Sequence, residues 1–200
     1  MAVLPVMQVS ITIILSIHMK IENHLIGNEF PPFIIAEMSN NHMQDMERAK
    51  AIIDAAMNAG ADAVKIQTYD ADSLTIDCDH DDFIIKDPLW AGQSYYQLYK
   101  NIAAPKLWTK ELFRYARQQG VTLFSSPFDP EAVRLLQEVD CPAYKIASFE
   151  AQDPELLRLV ARTGKPVLVS TGVSNWSEIQ ETLHWLHQAG AHDLIFLHCI

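Results

Sequence analysis

Four glycines, Gly60, Gly120, Gly164 and Gly190, each close a stretch with helical apolar spacing, and each is followed within a few residues by a short run of apolar residues. A glycine just past a helix supplies the left-handed turn that ends it. Runs such as Ala63-Val64-Lys65-Ile66 and Val167-Leu168-Val169 have the composition of strands covered on both faces. Pro31-Pro32 introduces the first such run, Phe33-Ile34-Ile35-Ala36. Further runs follow at 63–68, 121–126, 144–148, 166–171 and 194–198. Between them lie helices: Met46, Ala49, Ile52, Ile53 and Ala56 recur at helical spacing, as do Ile179, Leu183 and Leu186. Thr109 is the expected N-cap of the helix ending at Gly120, Asp153 or Pro154 opens another, and Ser174 or Asn175 opens the last. Six strands alternating with five helical segments predict an α/β protein with a parallel sheet.

Every strand ends in polar chemistry: Glu37, then Lys65 with Gln67, Ser125 with Ser126, Lys145 with Ser148 and Glu150, Ser170 with Thr171, and His198. An open doubly wound sheet would concentrate such residues at its switch point, whereas a barrel collects them from all strands at one rim. No G-x-G-x-x-G follows the first strand and no G-x-x-x-x-G-K-[ST] occurs. The expected fold is therefore an incomplete TIM-type (β/α) barrel with about six of the eight strands.

The net charge of -10, without a Lys/Arg cluster, argues against nucleic acid as a partner. Cys78, Cys141 and Cys199 are odd in number and widely spaced, which fits a reducing, cytoplasmic compartment. Residues 1–18 include the apolar run Val9 to Leu15, but Pro5, Gln8 and Ser10 interrupt it, and the basic flank of a signal peptide is missing. They are read as an upstream extension outside the fold, with Met19 as the start and no membrane association. The segment from Tyr69 to Trp108 is read as a long functional loop or lid, or as a surface insertion.

Lys65 and Lys145, with hydroxyls of Ser126, Ser148 and Ser170 on the same rim, suit a small ligand carrying phosphate and carboxylate. On the strand Ala143 to Ser148, simple alternation sets Lys145 and Ala147 on one face and Ile146 and Ser148 on the other. A rim lysine with its pKa lowered by a neighbouring lysine could instead form a Schiff base with a carbonyl substrate. Glu37 and Glu150 could act as general acid or base if desolvated, or be solvated strand-end charges. His42 and His198 could contact substrate or metal, or simply be hydrogen-bonded, and no pair of metal ligands has useful spacing.

Several of these stretches together resemble the sialic acid (nonulosonic acid) synthase family. They are Phe33 through His42 (FIIAEMSNNH), Val64-Lys65-Ile66-Gln67-Thr68, Phe124-Ser125-Ser126-Pro127-Phe128-Asp129, Pro142 through Glu150, and Ser170-Thr171-Gly172. Asp81-Asp82-Phe83-Ile84-Ile85 and Leu89-Trp90-Ala91-Gly92 look more like its pseudaminic acid synthase branch than its N-acetylneuraminate branch, with a legionaminic acid synthase as a further alternative. The resemblance implies a barrel enzyme that condenses phosphoenolpyruvate with an N-acylated amino sugar and releases phosphate. It implies Lys65, Gln67, Ser126, Lys145, Ser148 and Ser170 as phosphoenolpyruvate-binding residues and Glu37 and Glu150 as catalytic ones. It further implies a divalent metal, manganese or magnesium, held by histidines in strands beyond Ile200, a small antifreeze-like C-terminal domain and a homodimer. Residues 19–200 would then be the N-terminal part of the barrel, expected to be inactive alone, with a non-catalytic binding role as the alternative.

Overall fold

The computed structural model describes residues 19–199, so the expectation for residues 1–18 lies outside the described residues. Chain order begins with β1 (Met19–Ile21), β2 (His24–Ile26), β3 (Ile35–Glu37), α1 (Met46–Asn58) and β4 (Ala63–Thr68). The segment after β4 contains α2 (Ala71–Leu74), a 3-10 turn (Asp81–Phe83) and α3 (Tyr95–Ile102). Then come α4 (Trp108–Gln119), β5 (Thr122–Pro127), α5 (Pro130–Glu138) and β6 (Tyr144–Ile146). A second 3-10 turn (Glu150–Gln152) leads to α6 (Pro154–Ala161), β7 (Val167–Ser170), α7 (Trp176–Gln188) and β8 (Leu194–Leu197).

Strands β3 to β8 form one parallel sheet in strict sequence order. With no reversal of strand order there is no switch point, and successive right-handed crossovers put the crossover helices α1, α4, α5, α6 and α7 on one face. The result is six strands of an incomplete TIM-type barrel, as expected. The core between sheet and helices is filled by fully buried side chains such as Phe113, Leu136, Ile146, Leu157 and Val167. Phe124 fills the opposite, inner side of the sheet: it shares a face with Ser126 and pairs in register with Lys65.

Helix starts follow local chemistry. The side chain of Asp153 accepts from the backbone N–H groups of Glu155 and Leu156, with Pro154 at the first helical position. Asn175 and Glu178 form a reciprocal capping box for α7. Thr109 does not cap α4, contrary to the sequence expectation: the helix starts at Trp108, its N-cap Leu107 makes no side-chain bond, and Thr109 is buried within the first turn. The backbone enters α4 through a turn in which Trp108 N–H donates to Pro105 C=O, so the threonine is already inside the helix. Gly120 ends α4 with a left-handed φ of 71°.

Two features were not read from the sequence. First, β1 and β2 form an antiparallel hairpin in which Met19 pairs with Ile26. Met19 and Ile21 enter the core, and Glu22 accepts a hydrogen bond from Thr122 Oγ1 at the start of β5, so the hairpin covers the amino-terminal end of the sheet. Second, the stretch from Tyr69 to Trp108 carries α2, α3 and a 3-10 turn between them. It is fixed by Lys106, whose Nζ lies 2.7 Å from Asp70 Oδ2, 2.8 Å from Glu131 Oε2 and 3.6 Å from Asp129 Oδ2. Burial works against the Lys106 charge, but the hydrogen bonds to Asp70 and Glu131 outweigh it and raise its pKa above the ordinary lysine value.

Candidate active site

Glu37 closes β3 and pairs in register with Lys65 on β4, so the two side chains leave the sheet on the same face and form an ion pair. Glu37 is held from the other side by the backbone N–H of Ser39, 3.0 Å from Oε1. Lys65 Nζ also donates to Ser126 Oγ at 3.5 Å, and Gln67, half-buried, stands beside Ser126 in register. The adjacent serine takes no part: Ser125 Oγ is buried against Thr68 Oγ1 at 2.8 Å, on the side away from the lysine. Strand alternation separates the two hydroxyls.

Lys145 projects from the middle of β6 and is partly buried. Its pKa is lowered, first by burial and then by the positive charge of Lys65, while Cys199, Glu37 and Glu150 act in the opposite direction. The two lysines thus share one electrostatic environment. Alternation placed Ser148 on the face opposite Lys145, and here the structure differs. The strand ends at Ile146, the chain turns, and Ser148 Oγ accepts from the Gly172 N–H at 3.2 Å, which joins the loops after β6 and β7. A side chain at 172 would bring its Cβ to 3.0 Å from Cys199 Cβ and 3.1 Å from Ser148 Oγ, so the close approach of these loops favours glycine. Ser170, at the end of β7, and Ser148 both favour the thiolate of Cys199, and Lys145 does so to a smaller extent, so all four side chains gather at one rim. Cys199 was not singled out from the sequence, since a cysteine two residues past a strand has no local signal.

Glu150 opens the 3-10 turn that follows. Its Oε2 is buried without a hydrogen-bond partner among the described residues. Burial raises its pKa, and Lys145 only partly offsets this. The folded protein therefore holds this proton to a higher pH than the unfolded chain does, so the stability cost appears as pH rises past the ordinary carboxylate value and is complete above the raised one. Glu150→Gln is expected to stabilise the fold by about 1 kcal/mol near pH 8, with the difference vanishing towards pH 4. Urea unfolding across that range measures it.

The two histidines do not join this group. His42 is 1% exposed, its Nδ1 accepts from the Gln44 N–H at 3.0 Å, and its ring packs edge-on against Trp108 at 5.5 Å. Burial lowers its pKa, which favours neutral imidazole in a packing role. His198 is exposed just beyond β8. Among the described residues no three His, Cys, Asp or Glu side chains converge closely enough to hold a metal ion. The donor set among the described residues does not fit the divalent metal that the resemblance implies. Also among the described residues, no helix is long and apolar enough to cross a membrane.

A pseudaminic acid synthase of Campylobacter jejuni is 46% identical over 167 residues, 84% of this chain and 49% of that protein. An N-acetylneuraminic acid synthetase of Leptospira borgpetersenii, solved in complex with citrate, superposes with a TM-score of 0.77 at 27% identity, over 92% of this chain and 59% of that one. The spore coat polysaccharide biosynthesis protein SpsE of Bacillus subtilis superposes with a TM-score of 0.73 at 34% identity, over 92% of this chain and 48% of that one. The chain thus spans about half the length of the curated relatives it matches. The model of the NeuB family matches residues 52–200, most of the chain, and this protein belongs to that family.

Proposed function

We propose that residues 19–200 form the phosphoenolpyruvate-binding part of a synthase that condenses phosphoenolpyruvate with an N-acylated amino sugar to a nonulosonic acid. The observation that carries this reading is the pair of lysines, Lys65 and Lys145, close enough for one to lower the pKa of the other at a rim that also bears Ser126, Ser148 and Ser170. Two cations held together without a neutralising ligand repel each other, and a small dianion relieves that repulsion. Glu37 keeps Lys65 directed to the rim, and Gln67 adds a neutral donor beside Ser126. Glu150, neutral, gives a proton to the aldehyde oxygen of the sugar as the methylene carbon of phosphoenolpyruvate forms the new carbon–carbon bond. Water then adds to the phosphate-bearing carbon, which that step leaves positively charged, and returns a proton to Glu150. The bond from that carbon to phosphate then breaks.

The strands that complete such a barrel, and the histidines that hold manganese or magnesium in it, are not among these residues. By themselves the 200 residues are therefore proposed to bind phosphoenolpyruvate with little turnover, and the whole enzyme to be a cytoplasmic homodimer. The Campylobacter relative supports the pseudaminic branch. Tighter binding of N-acetylmannosamine than of the diacetamido-trideoxy altrose would overturn that choice.

One observation favours a second reading. A lysine whose pKa is lowered by burial and by another lysine is also suited to Schiff-base formation, and Lys145 meets that description. The two chemistries part under borohydride reduction with pyruvate, followed by mass spectrometry. We expect Lys65 and Lys145 to stay unmodified, and a reduced adduct on either would replace the condensation reading by an aldolase one.

A further inference from the structure

The rim carries an aromatic wall assembled from separate segments. Tyr69 directly follows β4 and Phe128 directly follows β5, and their rings meet edge-on at 5.6 Å. Tyr69 is 2% exposed and its hydroxyl donates to Asn40 Oδ1 at 3.1 Å, in the loop after β3. Over it stands Tyr99 from α3, its ring 6.2 Å from that of Tyr69 at 87°, backed by Tyr95 stacked at 6.2 Å. Tyr99 is only partly buried. Unlike Tyr69, its phenol makes no hydrogen bond among the described residues, and burial first, then Tyr95 and Glu150, raise its pKa. Tyr99 thus brings to this wall a phenol with no hydrogen-bond partner among the described residues, and Glu150, on the turn after β6, has an oxygen without one. Lys106, bound to Asp70 and Glu131, and Gln44, whose Nε2 donates to Ala103 C=O at 3.1 Å, hold the end of this segment in place.

The chemistry of this corner is opposite to that of the lysine corner. Aromatic faces and a protonated Glu150 offer a phosphate or carboxylate no countercharge, whereas they suit a neutral polyol that has an apolar C–H face, hydroxyl groups and an amide. We propose that Tyr99 is a specificity-determining residue for the acceptor sugar. Its ring lies against a face of the N-acylated amino sugar, and its phenol and Glu150 share the hydrogen bonds to the sugar's polar groups. This rests on the condensation reading above and adds to it the residue, outside the barrel strands, that recognises the second substrate.

The test is calorimetric titration of the whole chain, unaltered and as Tyr99→Ala and Tyr99→Phe. Each is titrated with phosphoenolpyruvate and then, with phosphoenolpyruvate present, with N-acetylmannosamine and with the diacetamido-trideoxy altrose. For the sugar that binds, Tyr99→Ala is expected to weaken affinity at least tenfold and Tyr99→Phe about threefold, with phosphoenolpyruvate affinity within twofold for both. Sugar affinity within twofold in Tyr99→Ala overturns the inference. So does an equal weakening for phosphoenolpyruvate, or failure of both sugars to bind a chain that binds phosphoenolpyruvate. Should Tyr99→Ala lose its helical circular dichroism, Tyr99→Phe decides, and unchanged sugar affinity in it overturns the inference. An unaltered chain that binds no phosphoenolpyruvate overturns the condensation reading itself, and the role of Tyr99 falls with it.

Discussion

Lys145→Met is expected to weaken phosphoenolpyruvate binding about 100-fold while making the protein more stable. Removing a charged donor from a partly buried anion site typically costs roughly 2–5 kcal/mol, and each 1.4 kcal/mol is about a factor of ten. The opposite effect on stability follows from linkage. The pKa of Lys145 is lowered by burial and by Lys65, so the folded state binds its proton less tightly than the unfolded chain does. That cost is fully present below the lowered pKa and is relieved as pH rises from it towards the ordinary value of about 10.4. The variant should therefore melt higher than the unaltered chain at pH 7, with the gap closing above about pH 10. Calorimetric titration and thermal melts on the same samples read both effects. A site that gains stability when its ligand-binding charge is removed is one whose charge is kept for the ligand.

Phe124→Ala is expected to destabilise the fold by about 3–5 kcal/mol, the usual range for deleting a fully buried aromatic side chain. Phe124 is 0% exposed and sits on the inner face of β5, opposite Lys65 and one alternation before Ser126. Its loss opens a cavity directly beneath the rim. Equilibrium urea unfolding measures the change. A Ser125→Ala variant provides the contrast: it removes the buried 2.8 Å bond to Thr68 on the far side of the same strand. It should cost only about 1 kcal/mol and leave phosphoenolpyruvate affinity unchanged.

The order of strands and helices was legible because each unit carries its own punctuation. The glycines at 60, 120, 164 and 190 and the aspartate at 153 act within one turn of themselves, so their effect is local and survives without tertiary context. Glu37 ends β3 but Lys65 lies inside β4, so their ion pair, which was not read from the sequence, follows from the parallel register that sets them opposite each other. Where the local signal failed, the cause lay in contacts distant in sequence. The hairpin at Met19–Ile26 has strands of three residues, too short for any period, and exists because Met19 and Ile21 reach a core made by the rest of the chain. Thr109 had the chemistry of a cap but was buried by the turn from Pro105.

The candidate site divides in the same way. Lys65, Gln67, Ser126, Lys145 and Ser170 could be named from the sequence because a barrel brings every strand end to one rim. Ser148 reaches that rim only because β6 stops at Ile146 and Gly172 lets two loops touch, and His42 left the list because Trp108, far along the chain, closes over it. Asn40, Tyr69, Tyr99 and Phe128 stand in four segments whose sequences share no spacing. The sequence by itself determined the repeating α/β order and the charges at the strand ends, because both depend on neighbours a few residues away. Only the tertiary structure decided which of those ends meet a partner and which aromatic rings stand over them, because burial and electrostatic shifts depend on what the whole fold places alongside.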